Sequence, residues 1–382
     1  MSRQRFFLCL FLLVSLTSIA TSAERVFDEK EIDNARLYYQ GEIPIAIFSG
    51  TPEQMGRQQA ELLAKSSQPV MVFPKQFMAE YGMDHFWPLA TAAAKTLMLN
   101  APEHHQRELK AASEHANFDA SILDVANTLL ELRRLGCSTV VVDSQITAGG
   151  KPLFGRNFDF PTLGILNKYS LLAVYRPEEG HAFASVGFPG LSGVFSGMND
   201  AGLAVATLDV YRAGDGSKKY APDGVPLGFV FRRILEECST VDEAEALLAK
   251  VKATTWMNLT VCDTQSGAVF EISPKQIVRR DANPAEMVLP ATNHFRTEEL
   301  SVGERCWRIP RLMKLGEQQG VTVADVHSYL QRVSFKDMTL QTMVFEPESQ
   351  VIHLSIGDVP SASGELTRID LKPLFSSPIA PR

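Results

Sequence analysis

The chain reads Leu135-Gly136-Cys137-Ser138-Thr139-Val140-Val141-Val142-Asp143 and, after a turn, Leu153-Phe154-Gly155-Arg156-Asn157-Phe158-Asp159-Phe160. The first stretch is short and β-branched, as a buried strand is. Gly149 and Gly150 lie in the turn, so the second stretch returns as the partner strand of a hairpin. Alternate residues of a strand share a face, which places Arg156 and Asp159 on opposite faces. The hairpin brings charged side chains back toward Cys137.

Cys137 stands where a helical segment gives way to a β-rich one. Free cysteine is among the most buried residue types, so a small apolar core residue is the plain alternative. A thiolate needs cationic or hydrogen-bonding neighbours, and Arg156 supplies one. Gly136 suits the position just past a helix end. We therefore take Gly136-Cys137 as a candidate self-cleavage point and Cys137 as a candidate nucleophile.

Residues 1–23 have the three regions of a secretory signal peptide. Arg3 and Arg5 come first, an apolar run covers 6–14, and small residues occupy 20–23. The apolar run is too short to span a bilayer comfortably, so no stable membrane span is predicted. We expect export to the periplasm or the medium.

Composition and charge narrow the class of protein. The 382 residues are 45% hydrophobic and 21% charged, which is typical of a globular enzyme-sized chain. The net charge is -7, and it becomes about -9 without the two signal-peptide arginines, which excludes nucleic acid as a partner.

The cysteines and histidines show no metal or redox motif. Removal of the signal peptide would leave Cys137, Cys238, Cys262 and Cys306. In an exported protein, two disulfides are the simplest explanation for four cysteines. No C-x-x-C pair and no His-Glu-x-x-His occurs. His104, His105 and His115 fall on a helix that we predict to be exposed. The sequence therefore predicts neither a metal nor a cofactor.

Hydrophobic periodicity divides the chain into two parts. Residues 24–136 are predicted to be mainly helical, with helices beginning at Pro52 behind a Thr51 cap, near Asp84, at Pro102 and after Asp119. Beyond Cys137 the period becomes strand-like. Strands are expected at 171–175, 183–186, 203–208, 259–263, 268–272, 342–345 and 351–356, and helices at 226–237, 240–251, 307–319 and 323–333.

Three other stretches are candidates for function. The turn 197–203 is rich in Asn, Asp and Gly, as ordinary turns between strands also are. In 291–295, Asn293 could donate an amide hydrogen bond and His294 could act as a base, although a polar loop is the commoner explanation. A papain-type pairing of Cys137 with His294 needs the cysteine at a helix N-terminus, and here it begins a strand.

Taken together and in order, these motifs resemble the cysteine N-terminal-nucleophile (Ntn) hydrolases. The branch most similar is the autoproteolytic acyl-CoA:6-aminopenicillanic acid acyltransferase family (peptidase family C45), with the penicillin V acylases and choloylglycine (bile salt) hydrolases as cousins. The residues that carry the resemblance are Gly136-Cys137, Gly155-Arg156-Asn157-Phe158-Asp159, Met198-Asn199-Asp200-Ala201-Gly202-Leu203, Thr292-Asn293-His294-Phe295, Arg308 and Arg311, together with 50–58 near the N-terminus.

The resemblance implies an α+β fold, a four-layer αββα sandwich of two antiparallel sheets between helix layers, with a helical N-terminal propeptide segment. It also implies self-cleavage between Gly136 and Cys137, after which the Cys137 thiol is the nucleophile. The freed α-amine would be the base, since an α-amine has a pKa near 7.7 to 8.0 and an amide nitrogen is not basic.

The remaining roles follow residue by residue from the resemblance. Arg156 and Asp159 would orient the thiol and the amine, and Asn293 would donate to the oxyanion. Arg308 matches the late arginine of the family, and Arg305 is the alternative if the match is shifted by three residues.

Two departures from the pattern affect these roles. Asp209 stands where the bile salt hydrolase relatives have asparagine, so only a backbone oxyanion role is carried over to Asp209. The spacing from Cys137 to Arg156 is longer than in the bile salt group, which favours the acyltransferase branch.

The sequence thus predicts a signal peptide (1–23), a helical propeptide or small subunit (24–136) and a catalytic domain (137–382). The function predicted is an exported, self-processing hydrolase or acyltransferase that cleaves linear amide C–N bonds of a small acyl amide through an acyl thioester on Cys137. The alternative is a catalytically inactive secreted binding protein that retains the fold. The acyl acceptor and the oligomeric state, a homo-oligomer included, are left open. Aromatic side chains available for an acyl pocket or for the core are Phe154, Phe158, Phe160, Phe188, Phe195 and Trp256.

Overall fold

A computed structural model describes residues 25–128 and 136–376. The predicted signal peptide (1–23) and the predicted end of the Asp119 helix (129–135) lie outside these residues. The strands of the described part are β1 Lys30–Ile32, β2 Ala35–Gln40, β3 Ile43–Gly50, β4 Gly136–Val142, β5 Leu153–Asp159, β6 Leu171–Pro177, β7 Phe183–Gly187, β8 Ser196–Asn199, β9 Ala204–Asp209, β10 Met257–Cys262, β11 Gly267–Ile272, β12 Ile277–Asp281, β13 Val288–Ala291, β14 Thr339–Glu346, β15 Val351–Ile356 and β16 Thr367–Asp370.

Helices precede, connect and follow these strands. The α-helices of the described part are α1 Pro52–Met71, α2 Phe73–Glu80, α3 Trp87–Met98, α4 Glu103–Ala116, α5 Ala120–Asn127, α6 Leu227–Glu237, α7 Val241–Leu248, α8 Arg308–Met313, α9 Val323–Val333 and α10 Lys372–Ser376. Short 3-10 helices cover Asp84–Phe86, Leu166–Tyr169, Lys314–Glu317 and Ser361–Ser363.

The strands form two sheets. The larger sheet has the order β1-β2-β3-β6-β7-β8-β9-β10-β11-β12, and the smaller has the order β13-β4-β5-β14-β15-β16. The hairpin predicted around Gly149 and Gly150 is the β4–β5 pair at the centre of the smaller sheet. Among the described strands every pair is antiparallel except β3–β6, which is parallel.

The two sheets face each other between helices. Thr139 of β4 and Thr260 of β10 are hydrogen-bonded across the interface, with their hydroxyl oxygens 2.8 Å apart. Helices α6 and α7 contact the larger sheet, and α8 and α9 contact the smaller one. This arrangement confirms the predicted four-layer αββα sandwich of α+β class.

The N-terminal segment is mainly helical from Pro52 onward, as predicted, but it begins with three strands that the prediction did not include. Residues 30–50 form β1, β2 and β3, and β3 enters the larger sheet beside β6. The run Ile43–Gly50 is apolar and almost wholly buried, which suits a strand covered on both faces better than a helix. The segment therefore shares a sheet with the predicted catalytic domain, and the larger sheet is not purely antiparallel.

The motif at 50–58 connects α1 to its neighbours. Thr51 and Gln54 form the predicted capping box. Gln58 bonds both the N–H and the C=O of Ser49 in β3. A Cβ atom on Gly56 would lie 2.2 Å from the carbonyl oxygen of Glu108, so only glycine lets α1 and α4 approach this closely. The motif thus has a packing role in the N-terminal segment.

A buried ion pair joins the N-terminal helices to α6. Arg232 donates to both carboxylate oxygens of Glu108, over 2.9 and 2.6 Å. Gln59 of α1 donates to the same carboxylate over 2.7 Å. Because both charged side chains are almost fully buried, each depends on the other for compensation.

Candidate active site

Cys137 lies in the core between the two sheets. It is the second residue of β4, is fully buried and stands opposite Phe158 of β5. Gly136 stands opposite Asp159 at the end of the same hairpin. The full burial of Cys137 is compatible with both interpretations of the sequence, a buried core cysteine and an enclosed nucleophile.

The backbone of Cys137 is held on both sides of its Cα atom. Its N–H donates to Oδ1 of Asn293 over 2.9 Å. Its carbonyl oxygen accepts from Nη1 of Arg308 over 2.6 Å. The peptide bond between Gly136 and Cys137 is thus fixed at its nitrogen by a side chain from the distant loop after β13.

Arg308 also contacts the other residues of the site. Its Nη2 donates to Oδ1 of Asn293 over 2.8 Å, and its Nη1 lies 3.7 Å from Oδ2 of Asp159. The guanidinium carbon lies 5.1 Å from the centroid of the Phe335 ring. Of the two candidates for the late arginine, Arg305 is exposed, and Arg308, the first residue of α8, lies at the site.

Arg156 faces the thiol from the next strand. It stands opposite Thr139 in the β4–β5 pair, is fully buried, and donates from Nε to Ser196 over 3.3 Å. Nη1 and Nη2 have no hydrogen-bond partner among the described residues. Burial raises the pKa of the Cys137 thiol, the charge of Arg156 opposes this rise, and Asp159 adds to it.

Asp159 is placed next to the predicted cleavage point. Thr339 of β14 donates to its Oδ1 over 2.6 Å. Burial raises the pKa of the Asp159 carboxyl, while the Thr339 hydroxyl and the charges of Arg308 and Arg156 lower it. A Cβ atom on Gly136 would lie 3.0 Å from Cβ and 3.4 Å from Oδ2 of Asp159, so a side chain there would crowd the carboxylate.

Asn258 positions the loop that carries Asn293. Its Nδ2 donates to the carbonyl oxygens of Thr292 and His294, over 3.0 Å each, so it bonds the residues on both sides of Asn293. We did not predict Asn258 or Thr339 from the sequence. A signal for Asn258 was present, since it carries an amide side chain in a strand that is buried at every position; Thr339 had none.

His294 is turned toward its own loop. Its Nδ1 lies 2.9 Å from the hydroxyl oxygen of Thr292, and burial lowers the pKa of the ring. Among the described residues, the Cys137 backbone bonds Asn293 and Arg308, and the charged groups that shift the pKa of its thiol are Arg156 and Asp159, not His294. The geometry does not favour the papain-type pairing.

Asp209 lies at the end of β9, on the far side of Asn293. Its carbonyl oxygen accepts from Nδ2 of Asn293 over 2.9 Å. Its fully buried side chain has Lys219 Nζ 4.0 Å from Oδ1, so a cation partly balances the carboxylate that replaces the expected asparagine. The structure thus brings together Cys137, Arg156, Asp159, Asp209, Asn293 and Arg308; their catalytic roles remain predictions.

The turn at 197–203 is explained by packing. Asn199 accepts from the N–H groups of Ala201 and Leu203. It donates to the carbonyl oxygens of Leu235 and Cys238 at the end of α6. Its side chain therefore closes the β8–β9 turn and holds it against α6.

A small apolar cavity of about 60 Å³ adjoins the ring of Phe158, opposite Cys137. Four of the six predicted pocket aromatics line it, namely Phe158, Phe160, Phe188 and Phe195. Its other wall comes from the N-terminal helices, including Val70, Phe73 and Ile122. Phe154 stacks on Phe345, and Trp256 donates to Ser217, so both are placed elsewhere.

The described cysteines do not form disulfides. Cys137, Cys238 and Cys262 are buried free thiols, and Cys306 is a partly exposed free thiol. The two-disulfide alternative is therefore wrong for this structure.

Comparisons with known proteins identify a family. The model of the family described as "acyl-coenzyme A:6-aminopenicillanic acid acyl-transferase" matches residues 146–358, more than half of the chain. The match includes Arg156, Asp159, Asp209, Asn293 and Arg308, and it begins after Cys137. An uncharacterized protein of Archaeoglobus fulgidus is 28% identical over 151 residues, which are 38% of this chain and 24% of that protein. The chain thus spans about a quarter of that relative.

Solved structures with a similar fold include three hydrolases. A Caenorhabditis elegans N-acylethanolamine-hydrolyzing acid amidase ortholog is 19% identical, covering 61% of this chain and 100% of its own, with a TM-score of 0.45. A variant of the conjugated bile acid hydrolase from Clostridium perfringens is 16% identical, covering 62% and 92%, with a TM-score of 0.47. Penicillin V acylase from Agrobacterium tumefaciens is 14% identical, covering 62% and 86%, with a TM-score of 0.43.

Proposed function

This chain belongs to the acyl-coenzyme A:6-aminopenicillanic acid acyl-transferase family, a family of Ntn-type amide hydrolases and acyltransferases, and from that premise we propose that it is exported, cleaves itself before Cys137 and uses that thiol as its nucleophile. One observation carries the proposal: the N–H and C=O groups of Cys137 are bound by Asn293 and Arg308, both within the family match.

Self-cleavage would begin with attack of the Cys137 sulfur on the carbonyl carbon of Gly136. The C–N bond breaks, a thioester forms, and the thiol proton moves to the released amine. Water then cleaves the thioester and leaves a Gly136 carboxylate and a free Cys137 thiol. The new α-amine would start next to Oδ1 of Asn293, which its nitrogen already contacts at 2.9 Å in the uncut chain.

Turnover would use the same atoms on a small acyl amide. The thiol attacks the amide carbonyl and gives its proton to the α-amine, whose pKa near 7.7 to 8.0 suits a base at neutral pH. The amine then protonates the leaving nitrogen, and the acyl group remains on sulfur as a thioester. Water or a second amine releases it. Asn293 and Asp209, the two residues that would bind the oxyanion, are adjacent, since Nδ2 of Asn293 donates to the Asp209 carbonyl oxygen.

The N-terminal segment would remain as a small subunit after cleavage. The parallel pairing of β3 with β6 and the buried contact of Glu108 with Arg232 support this, because neither depends on the Gly136–Cys137 bond. Within 25–128 and 136–376, the structure has no helix with the length and apolarity needed to cross a membrane. Export rests on the signal-peptide pattern of residues 1–23.

The test is the intact mass and N-terminal sequence of the purified protein, compared with Cys137→Ala and, as a control, Cys238→Ala. We expect the wild type and the control to give two fragments, the larger beginning at Cys137, and to release amine from a chromogenic acyl amide. Cys137→Ala should stay uncut and inactive. An uncut wild-type chain, or normal processing of Cys137→Ala, would refute the mechanism.

A binding protein without chemistry is the second candidate, favoured by the full burial and raised thiol pKa of Cys137. Alkylation by iodoacetamide separates the two. The enzyme requires a thiol that reacts rapidly in the processed protein, whereas the binding protein requires a thiol that stays unreactive until the chain unfolds.

A further inference from the structure

Three metal-ligating side chains meet where the N-terminal segment contacts α6. His104 and His105 lie in the first turn of α4, and Glu236 lies at the end of α6. Nε2 of His104 is 3.4 Å and Nε2 of His105 is 2.9 Å from the same carboxylate oxygen, Oε2 of Glu236. One donor atom from each residue lies within 4.8 Å of the other two. The cluster is distinct from the Cys137 site.

We did not expect this grouping from the sequence. We predicted that His104 and His105 lie on an exposed helix, and this is wrong for His105, whose side chain is fully buried against Phe229. His104 has 42% of its side chain exposed, so the cluster is open to solvent on one side. Glu236 enters only through the tertiary fold.

Oε2 of Glu236 is the carboxylate oxygen within reach of both imidazoles, while Oε1 lies 3.2 Å from Nε2 of His105 only. Arg232 donates from Nε to Oε1 of Glu236 over 2.8 Å, and its other nitrogens bind Glu108. Two carboxylates and one guanidinium carry a net negative charge in this buried region. An added cation would compensate that charge, and burial strengthens the attraction because the dielectric constant there is low.

We propose that Nε2 of His104, Nε2 of His105 and Oε2 of Glu236 bind a divalent transition-metal cation of the Zn²⁺ class, with water as the remaining ligand. Two imidazoles and one carboxylate are a donor set that Zn²⁺ takes readily. Bonds of about 2.0–2.2 Å in tetrahedral geometry separate ligand atoms by about 3.3–3.6 Å. The observed 3.4 and 2.9 Å separations of the two nitrogens from Oε2 are close to these values, and the nitrogens lie within 4.8 Å of each other.

The cation would tie two parts of the molecule together. His104 and His105 belong to the segment before Gly136, and Glu236 belongs to the family-matched region. A metal that binds only when α4 and α6 are in contact stabilises that contact by mass action. The proposed role is therefore a structural link between the N-terminal segment and the rest of the enzyme.

The test uses the full-length protein without a histidine tag, treated with EDTA and dialysed. Zn²⁺ binding is measured by calorimetry, and Tm is measured with and without ZnCl₂. We expect one Zn²⁺ site lost in His104→Ala, and a wild-type Tm raised by roughly 5 °C at about 100 times Kd. His104→Ala is the main variant because its exposed side chain can be removed without opening the core.

His115→Ala is the matched control. His115 lies on the same helix, is 42% exposed and has a single carboxylate partner, Glu61, at 3.2 Å. Its removal should leave the stoichiometry and the Tm shift unchanged. Co²⁺ in place of Zn²⁺ should give the visible spectrum of a tetrahedral nitrogen–oxygen site without a thiolate charge-transfer band, which excludes the cysteines as ligands.

A metal-free hydrogen-bonded cluster gives the opposite results. The proposal is wrong if Zn²⁺ does not raise Tm, if His104→Ala keeps the full stoichiometry, or if His115→Ala loses as much binding as His104→Ala. Each outcome is independent of catalysis at Cys137, so failure here would not affect the proposed function.

Discussion

Arg308 donates a 2.6 Å hydrogen bond from Nη1 to the carbonyl oxygen of Cys137. The same guanidinium binds Oδ1 of Asn293 through Nη2, and that oxygen accepts the N–H of Cys137. The three residues therefore form a closed ring of contacts around one backbone unit. Charged, forked donors of this kind fix geometry as well as contributing energy.

Arg308→Lys should weaken this ring, because an ammonium group cannot serve both acceptors in the same plane. Loss of one charge-assisted hydrogen bond lowers kcat/KM by roughly 10- to 150-fold and slows self-cleavage. Arg311→Lys is the control, since Arg311 is exposed and stacks on Trp307 at 4.4 Å. Steady-state kinetics and the rate of precursor loss measure both. Wild-type values for Arg308→Lys would remove Arg308 from the mechanism.

Asn258→Asp should lower kcat without preventing folding. The substitution removes the two N–H donations that hold Thr292 and His294, and it places an acidic group against their carbonyl oxygens. Asn293 then moves, and a small displacement of a catalytic group costs up to about a hundredfold in rate. KM should change much less than kcat, because the apolar cavity is unaffected.

Asn100→Asp is the matched control for this loop effect. Nδ2 of Asn100 also bridges two carbonyl oxygens, those of Pro222 and Gly224, but away from Cys137. Its activity should equal that of the wild type. Equal kinetic losses in the two variants would show a general stability effect and contradict a positioning role for Asn258.

Thr339→Val should move the acidic limb of the pH profile of kcat/KM to higher pH. Burial already raises the pKa of the Asp159 carboxyl, and the Thr339 hydroxyl is the main group that lowers it. Without that donor the carboxyl keeps its proton to higher pH, so the ionised form that would orient the amine is lost sooner on acidification.

The same raised pKa affects stability. Between the unfolded-state pKa of about 3.9 and the higher native pKa, the folded protein holds a proton that the unfolded chain has lost. The stability contributed by Asp159 therefore falls as pH rises through that window.

Thr342→Val is the control for the pH profile of Thr339→Val, because the Thr342 hydroxyl donates to Asn157 and not to Asp159. A limb that stays in place in Thr339→Val would exclude Asp159 as the titrating group.

Gly136→Ala should slow self-cleavage. The new Cβ atom would lie 3.0 Å from Cβ of Asp159 and 3.5 Å from Phe335, so the carboxylate beside the scissile bond has to shift. The ratio of precursor to fragments over time measures the effect by electrophoresis. Gly149→Ala, where an added Cβ meets no atom within 4 Å, should process normally. Equal processing rates would mean that Asp159 does not act on this bond.

The sequence predicted those parts of the fold that depend on local pattern. The Thr51 cap, helix α9 and the β4–β5 hairpin were predictable because capping, periodicity and turn chemistry lie within a few residues of one another. Strands β1–β3 were not, because a short apolar run alone does not distinguish strand from helix, and β3 enters the sheet beside β6, which is distant in the sequence.

The candidate site, like the fold, was predictable only in part from the sequence. The order of its motifs allowed Cys137, Asn293 and Arg308 to be named through the family resemblance. Nothing in that order shows that Asn293 accepts from the backbone of Cys137, or that Asn258 holds the loop beside it. These contacts join residues from separate strands and loops, so only the packing of the two sheets brings them together.

Glu108→Gln should loosen the N-terminal segment. The carboxylate of Glu108 balances Arg232 in a region from which water is excluded, and breaking a buried pair costs about 3 kcal/mol because it leaves one charge uncompensated. We expect a lower Tm and, in processed protein, partial release of the N-terminal fragment on size-exclusion chromatography. Glu114→Gln, on the same helix with an exposed 3.9 Å pair to Lys110, should change stability by less than about 0.5 kcal/mol. Equal behaviour of the two variants would mean that the β3–β6 pairing, and not this ion pair, retains the segment.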